Sequence, residues 1–149
     1  LRRQRQMCIR DSTSTEADPR GIEADGNLDG IYPDHLRQSD FTVENMTIVN
    51  NAANTTDNVD RMQDVIKIRR GAKATITNAL VKGTGGTIDL IDMNDSKGAG
   101  NAASSISITN TLNFKNKLNG TLNTFTEPTT NTGADVSLFT WTGYNLSSL

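Results

Sequence analysis

The sequence predicts an all-β fold, a right-handed parallel β-helix of a few rungs. Three observations point to it. Thr and Asn together make up about a quarter of the 149 residues, and Thr favours strands while Asn favours turns. Short runs rich in β-branched residues alternate with Gly, Asn and Asp clusters, and no window sustains a helical period. Two families of strand-like segments also alternate along the chain, as expected of a repeated unit that stacks on itself.

The first family comprises Gly21-Ile-Glu-Ala-Asp25, Val65-Ile-Lys-Ile-Arg69 and Thr87-Ile-Asp-Leu-Ile91. The second comprises Val43-Glu-Asn-Met-Thr-Ile48, Ile76-Thr-Asn-Ala-Leu80 and Ile108-Thr-Asn-Thr-Leu112, whose asparagines Asn45, Asn78 and Asn110 recur 33 and 32 residues apart. Aligned on their isoleucines, the first family places Ile22, Ile66 and Ile88 in one interior column and Ala24, Ile68 and Leu90 in the next. Glu23, Lys67 and Asp89 then form an outward acid–base–acid ladder. The repeated Asn is expected in a turn, where stacked amides bond one another. A β-sandwich is the alternative; it accounts for the alternation but gives no reason for the Asn repeat. The final third is less regular, with strand candidates at Thr121 to Phe125 and Val136 to Trp141.

Leu1 to Ser12 (LRRQRQMCIRDS) resembles translated sequencing-adapter read-through and carries Cys8, the one cysteine of the chain. Residues 1–12 are therefore expected to be an artefactual tail, 13–19 a disordered lead-in, and 20–149 the C-terminal rungs of one β-helix domain. The whole chain carries 15 basic and 17 acidic residues, net −2. Without Arg2, Arg3, Arg5, Arg10 and Asp11 there are 11 basic against 16 acidic residues, net −5. An acidic chain lacks the basic footprint of a nucleic-acid binder. No stretch approaches the roughly 18 apolar residues of a membrane span.

Candidate chemistry is sparse. Asp25-Gly-Asn27-Leu-Asp29-Gly30 has alternating oxygen ligands and a turn-making Gly, the needs of a calcium loop, with Asp34 as a further ligand. Leu36 stands where an EF-hand requires Glu, so that motif is excluded; the competing reading is a solvated Asx turn. Asp92-Met-Asn94-Asp-Ser96-Lys-Gly98 is a poorer version. Lys67, Arg69 and Arg70 are a basic cluster suited to acidic polysaccharide, or simply the positive rungs of a salt-bridge ladder. His35 has no second histidine with which to hold a metal. Asp57 and Asp60 are loop carboxylates, and Gly83-Thr-Gly85-Gly86 precedes a strand and lacks the lysine of a phosphate loop. Trp141 and Tyr144 are suited to stacking on a sugar ring or to covering the end of a hydrophobic column.

RGIEAD, DVIKIRRGAKATITNALVKG, TIDLIDMNDSKG and TGADVSLFTWTGY resemble the C-terminal part of secreted right-handed β-helix proteins of environmental bacteria. The resemblance covers residues 20 to 145 and implies an extracellular or cell-surface location. It carries no assigned active site. Three functional expectations follow: a non-catalytic glycan-binding or adhesive module, a C-terminal fragment of a polysaccharide lyase or glycoside hydrolase, or a structural stalk or cap. Calcium is the one cofactor expected, and polysaccharide or a cell-surface glycan the expected partner.

Overall fold

A computed structural model describes residues 8–9, 19–28, 38–51, 62–143 and 145. Among the described residues ten strands make up two sheets, and every pairing between these strands is parallel. They are β1 (Cys8–Ile9), β2 (Ile22–Asp25), β3 (Asp40–Glu44), β4 (Thr47–Asn50), β5 (Met62–Arg69), β6 (Lys73–Gly83), β7 (Thr87–Asp92), β8 (Ser105–Asn110), β9 (Phe114–Asn119) and β10 (Thr124–Thr126). The second sheet runs β2-β5-β7-β9. The first runs β1-β4-β6-β8-β10, with β3 also on β6. The chain visits the two sheets in turn and returns one strand further along each time. This is the stacked coil of a parallel β-helix, as expected.

Aliphatics fill the space between the sheets. Ile48, Ile66, Ile68, Ile76, Val81, Leu90, Ile91 and Ile108 are all fully buried in a single core cluster. Phe114, Leu118 and Phe125, on the last strands, pack against it.

The register corrects the expected columns. Ile22 pairs with Ile66, Glu23 with Lys67 and Ala24 with Ile68, as the repeat predicts. Ile66, however, pairs with Ile91 rather than Ile88, and Lys67 with Asp92 rather than Asp89. Ile88 is only half-buried. The physical reason is that Val65-Ile66 and Leu90-Ile91 both enter the core as consecutive pairs. Strict alternation is broken at the same point in both strands, so matching on alternating isoleucines chose the wrong offset.

The Asn repeat is likewise partly realised. Asn45 and Asn78 are both left-handed (φ 58° and 51°), and the Asn78 amide donates to Asn45 Oδ1 at 2.8 Å. Asn110 does not join them. A register shift between Ile76 and Ala79 sets it beside Val81, and its side chain bonds Leu112 across its own turn.

The place beside Asn78 is taken by the C-terminal segment. Residues 128–134 form a strap laid back across the first sheet. Thr109 Oγ1 donates to Pro128 O at 2.5 Å, and Asn131 Nδ2 donates to Ala79 O at 3.1 Å. Thr132 N donates to Asn78 Oδ1 at 2.8 Å, and Ala134 N to Thr47 Oγ1 at 2.9 Å. The strap thus crosses β8, β6 and β4.

Beyond the strap, Val136–Thr142 is a 3-10 helix rather than the expected strand. Asp135 caps its start by accepting from Ser137 N, and left-handed Gly143 (φ 69°) ends it. These two caps override the β-branched start. Trp141 is 80% exposed and covers no column end. Two strands lay outside the sequence expectations. β9 (FKNKLN) is too polar to read as a strand, and β1 falls in the segment set apart as an artefact, yet pairs Cys8 with Ile48 and Ile9 with Val49.

Two substitutions test this packing by urea denaturation. Ile91→Ala is expected to cost about 2–5 kcal/mol and Ile88→Ala clearly less; equal losses would contradict the register. In the strap, a Cβ on Gly133 (φ 71°) would lie 2.2 Å from Thr47 Oγ1. Gly133→Ala is expected to cost about 1–3 kcal/mol through strain and clash.

Candidate functional site

The offset found in the structure reveals a motif that the isoleucine alignment conceals. Arg20-Gly-Ile-Glu23, Asp64-Val-Ile-Lys67, Asp89-Leu-Ile-Asp92 and Asn116-Lys-Leu-Asn119 occupy equivalent places in successive strands. Between the sheets lie the central apolar residues; the flanking polar ones share the opposite face. Two columns result. One reads Arg20, Asp64, Asp89, Asn116, and the other Glu23, Lys67, Asp92, Asn119.

The middle of these columns is a buried acidic cluster. Asp64, Asp89 and Asp92 are each about 5–6% exposed, and one carboxylate oxygen from each lies within 4.8 Å of the others. At an effective dielectric of about 20, two unit charges about 4 Å apart repel by about 4 kcal/mol. Neighbours offset this. Arg20 Nε donates to Asp64 Oδ2 at 3.2 Å, and buried Lys67 Nζ forms an ion pair with Asp92 Oδ2. Asn116 Nδ2 donates to Asp89 Oδ1 at 2.7 Å, and Asn119 Nδ2 to Asp89 Oδ2 at 3.2 Å. Asn94 N donates to Asp92 Oδ1 at 2.8 Å. Among the described residues, Arg20 and Lys67 are the cations that pair with these carboxylates.

Burial raises the Asp64 carboxyl above its ordinary 3.8, and repulsion from Asp92 adds to this; the bond from Arg20 and the charge of Lys67 act in the opposite sense. The donor set is all oxygen, which suits a hard divalent cation such as calcium or magnesium. Three protein ligands leave room for water or a partner's oxygens in the coordination shell.

The residues singled out from the sequence fall differently. Lys67 joins the cluster as a counter-ion. Arg69 is engaged on both sides of its fork: Nε to Asp25 Oδ1 at 2.5 Å, Nη2 to Glu23 Oε1 at 2.6 Å and Nη1 to Asp95 Oδ2 at 3.5 Å. The hydrogen bond to Asp25 is the main reason its guanidinium binds its proton still more tightly than usual. Of the expected calcium ligands, Asp25 is thus held by Arg69, and Asn27 donates its backbone N–H to Gln38 Oε1. Asp29 and Asp34 lie outside the described residues, as do His35, Asp57, Asp60 and Tyr144. Asp95 bonds the backbone N–H of Lys97, the chief cause of its lowered carboxyl, so the 92–98 segment is divided between two networks. Gly83 to Gly86 folds onto Asn50 and Asn51 as a turn: Thr84 N and Gly85 N both donate to Asn50 O.

Two stacked parallel sheets closed around one aliphatic core define a parallel β-helix domain. A family model described as "Pectate-lyase like beta helix domain" matches residues 6–144, and the chain belongs to that family. No curated protein and no solved structure matches it significantly. Among the described residues, no helix is long and apolar enough to cross a membrane.

The raised Asp64 carboxyl sets a pH dependence. The folded chain holds this proton more tightly than the unfolded one, so the contribution of Asp64 is most favourable below pH 3.8 and declines as pH rises through the higher folded value. Asp64→Asn, measured with a chelator present, is expected to lose stability less steeply than the native chain over that window. Parallel stability–pH curves would refute the assignment.

Proposed function

We propose that this chain is an extracellular or cell-surface β-helix module that binds acidic polysaccharide through a divalent cation held by Asp64, Asp89 and Asp92. The observation that carries this reading is the convergence of the three buried carboxylates on one face of the second sheet. Calcium takes the three carboxylates as ligands, and the uronate carboxylates of a partner fill the remaining coordination positions. Lys67 and Arg20 border the cluster and supply positive charge for the same polymer. The family match to a pectate-lyase-like domain supports a polysaccharide partner. This reading assigns the chain binding and no bond cleavage.

A hydrolytic reading draws on the same residues. Asp64, with its carboxyl raised by burial, stands beside two other carboxylates, and general acid–base hydrolysis uses neighbouring carboxyl groups.

Calorimetric titration with calcium and retention on a polygalacturonate gel test the proposal. Calcium is expected to bind and to be required for retention, and chelation to release the protein. Asp89→Asn is expected to weaken calcium binding by roughly 10-fold or more. Retention that ignores both calcium and Asp89→Asn would overturn the reading. Appearance of reducing ends or unsaturated uronates would favour catalysis instead.

A further inference from the structure

The first sheet carries a second pattern on its outer face, separate from the acidic columns. Thr42, Thr75, Ser105 and Thr124 pair in register down β3, β6, β8 and β10. Two residues further along each strand stand Glu44, Thr77, Ser107 and Thr126, with Glu44 paired to Thr77 and Ser107 to Thr126, and the register shift of β6 on β8 falling between the two pairs. The residues between the two ladders, Val43, Ile76, Ile106 and Phe125, belong to the core or pack against it. Both ladders therefore face outward.

Seven of the eight positions carry hydroxyls. Ser107 accepts a bond from Asn131 of the strap; among the described residues the hydroxyls of Thr42, Thr75, Thr77, Ser105, Thr124 and Thr126 make no hydrogen bond. Charge is confined to one border, where Glu44 ends one ladder and Lys73 pairs with Asp40 at 3.0 Å. A charged ligand finds little here to bind.

Backbone geometry fixes the spacing in two dimensions. Neighbouring strands lie about 4.7–4.9 Å apart, and alternate residues of one strand about 6.6 Å apart. Threonine is stiff at χ1, so at the five threonine positions the hydroxyl and its methyl group are held in place before any ligand arrives. A neutral, two-dimensional array of this kind complements a neutral, two-dimensional lattice. The two spacings are close to the oxygen repeats on a prism face of hexagonal ice. We infer that this face binds ice. The hydroxyls take positions of lattice water and the methyls fill the hollows between them. The inference is independent of the cation site, which lies on the other sheet.

Ice grown in a solution of the full chain, with calcium and with chelator, tests it. Faceted crystals and a gap between melting and growth temperatures are expected in both conditions. Thr75→Tyr, at the centre of the array, is expected to abolish both effects, and Ser96→Tyr, in the exposed loop after β7, to leave them unchanged. Thermal unfolding checks that the variants remain folded; if Thr75→Tyr does not, Thr124→Tyr on the terminal strand serves in its place. Round ice discs like those in an albumin control would overturn the inference, as would faceting that survives the Tyr substitutions. Adsorption to a crystalline neutral polysaccharide without ice shaping would also overturn it and assign the face to that polymer.

Discussion

Parallel, in-register stacking is the constraint on which the rest of this structure depends. Each side chain meets its counterpart on the next rung, so whatever one strand carries is tested against the same place in its neighbours. Aliphatics gain from this, because burying one column buries them all. Charges do not, and the sequence answers with alternation. Lys67 lies between Glu23 and Asp92, and Arg20 lies beside Asp64. At one point the alternation fails: Asp64 stacks on Asp89, with Asp92 beside them. Departures from local consistency of this kind are where function is to be sought.

Register is kept while rung length is not. In the second sheet, Ile22, Ile66, Ile91 and Leu118 occupy one column although the stretches between them differ in length. The variable parts are loops, where extra residues cost little, and left-handed residues set the corners. Asn45 and Asn78 turn successive rungs at the same place and bond one another there. The strap then joins three strands of the first sheet through side chains that the ladder leaves available.

Much of this was legible in the sequence. The parallel stacked class, the pairing of Ile22 with Ile66 and the Asn45–Asn78 pair follow from repeats of β-branched residues and asparagine. The acidic site was not legible by the same route. Its signal is a polar residue at positions i and i+3 around two apolar ones, a spacing foreign to a strand that strictly alternates. Aligning on isoleucine hides it; aligning Asp64-Val-Ile-Lys67 with Asp89-Leu-Ile-Asp92 brings it out. The final third resisted for a different reason. β9 has too few apolar residues to announce itself, and the 3-10 helix depends on two capping residues rather than on periodicity. The strap owes its place to tertiary hydrogen bonds, for which no local pattern exists.

The neighbouring rung supplies the sharpest comparison for the acidic cluster. Asn116 and Asn119 fill the same two columns as Asp89 and Asp92, and they do so with neutral amides that donate to the carboxylate above. Amides at 89 and 92 would match that pattern and remove the repulsion that Asp92 exerts on Asp64, but an amide at 92 would also take away the partner of buried Lys67. Ion pairs with Arg20 and Lys67 account for Asp64 and Asp92, and the amides of Asn116 and Asn119 hold Asp89. A hard cation would take the same carboxylate oxygens as its ligands. Three buried carboxylates that stacked register brings within 4.8 Å of one another, where the next rung carries amides, are the physical case for the binding role proposed for this face.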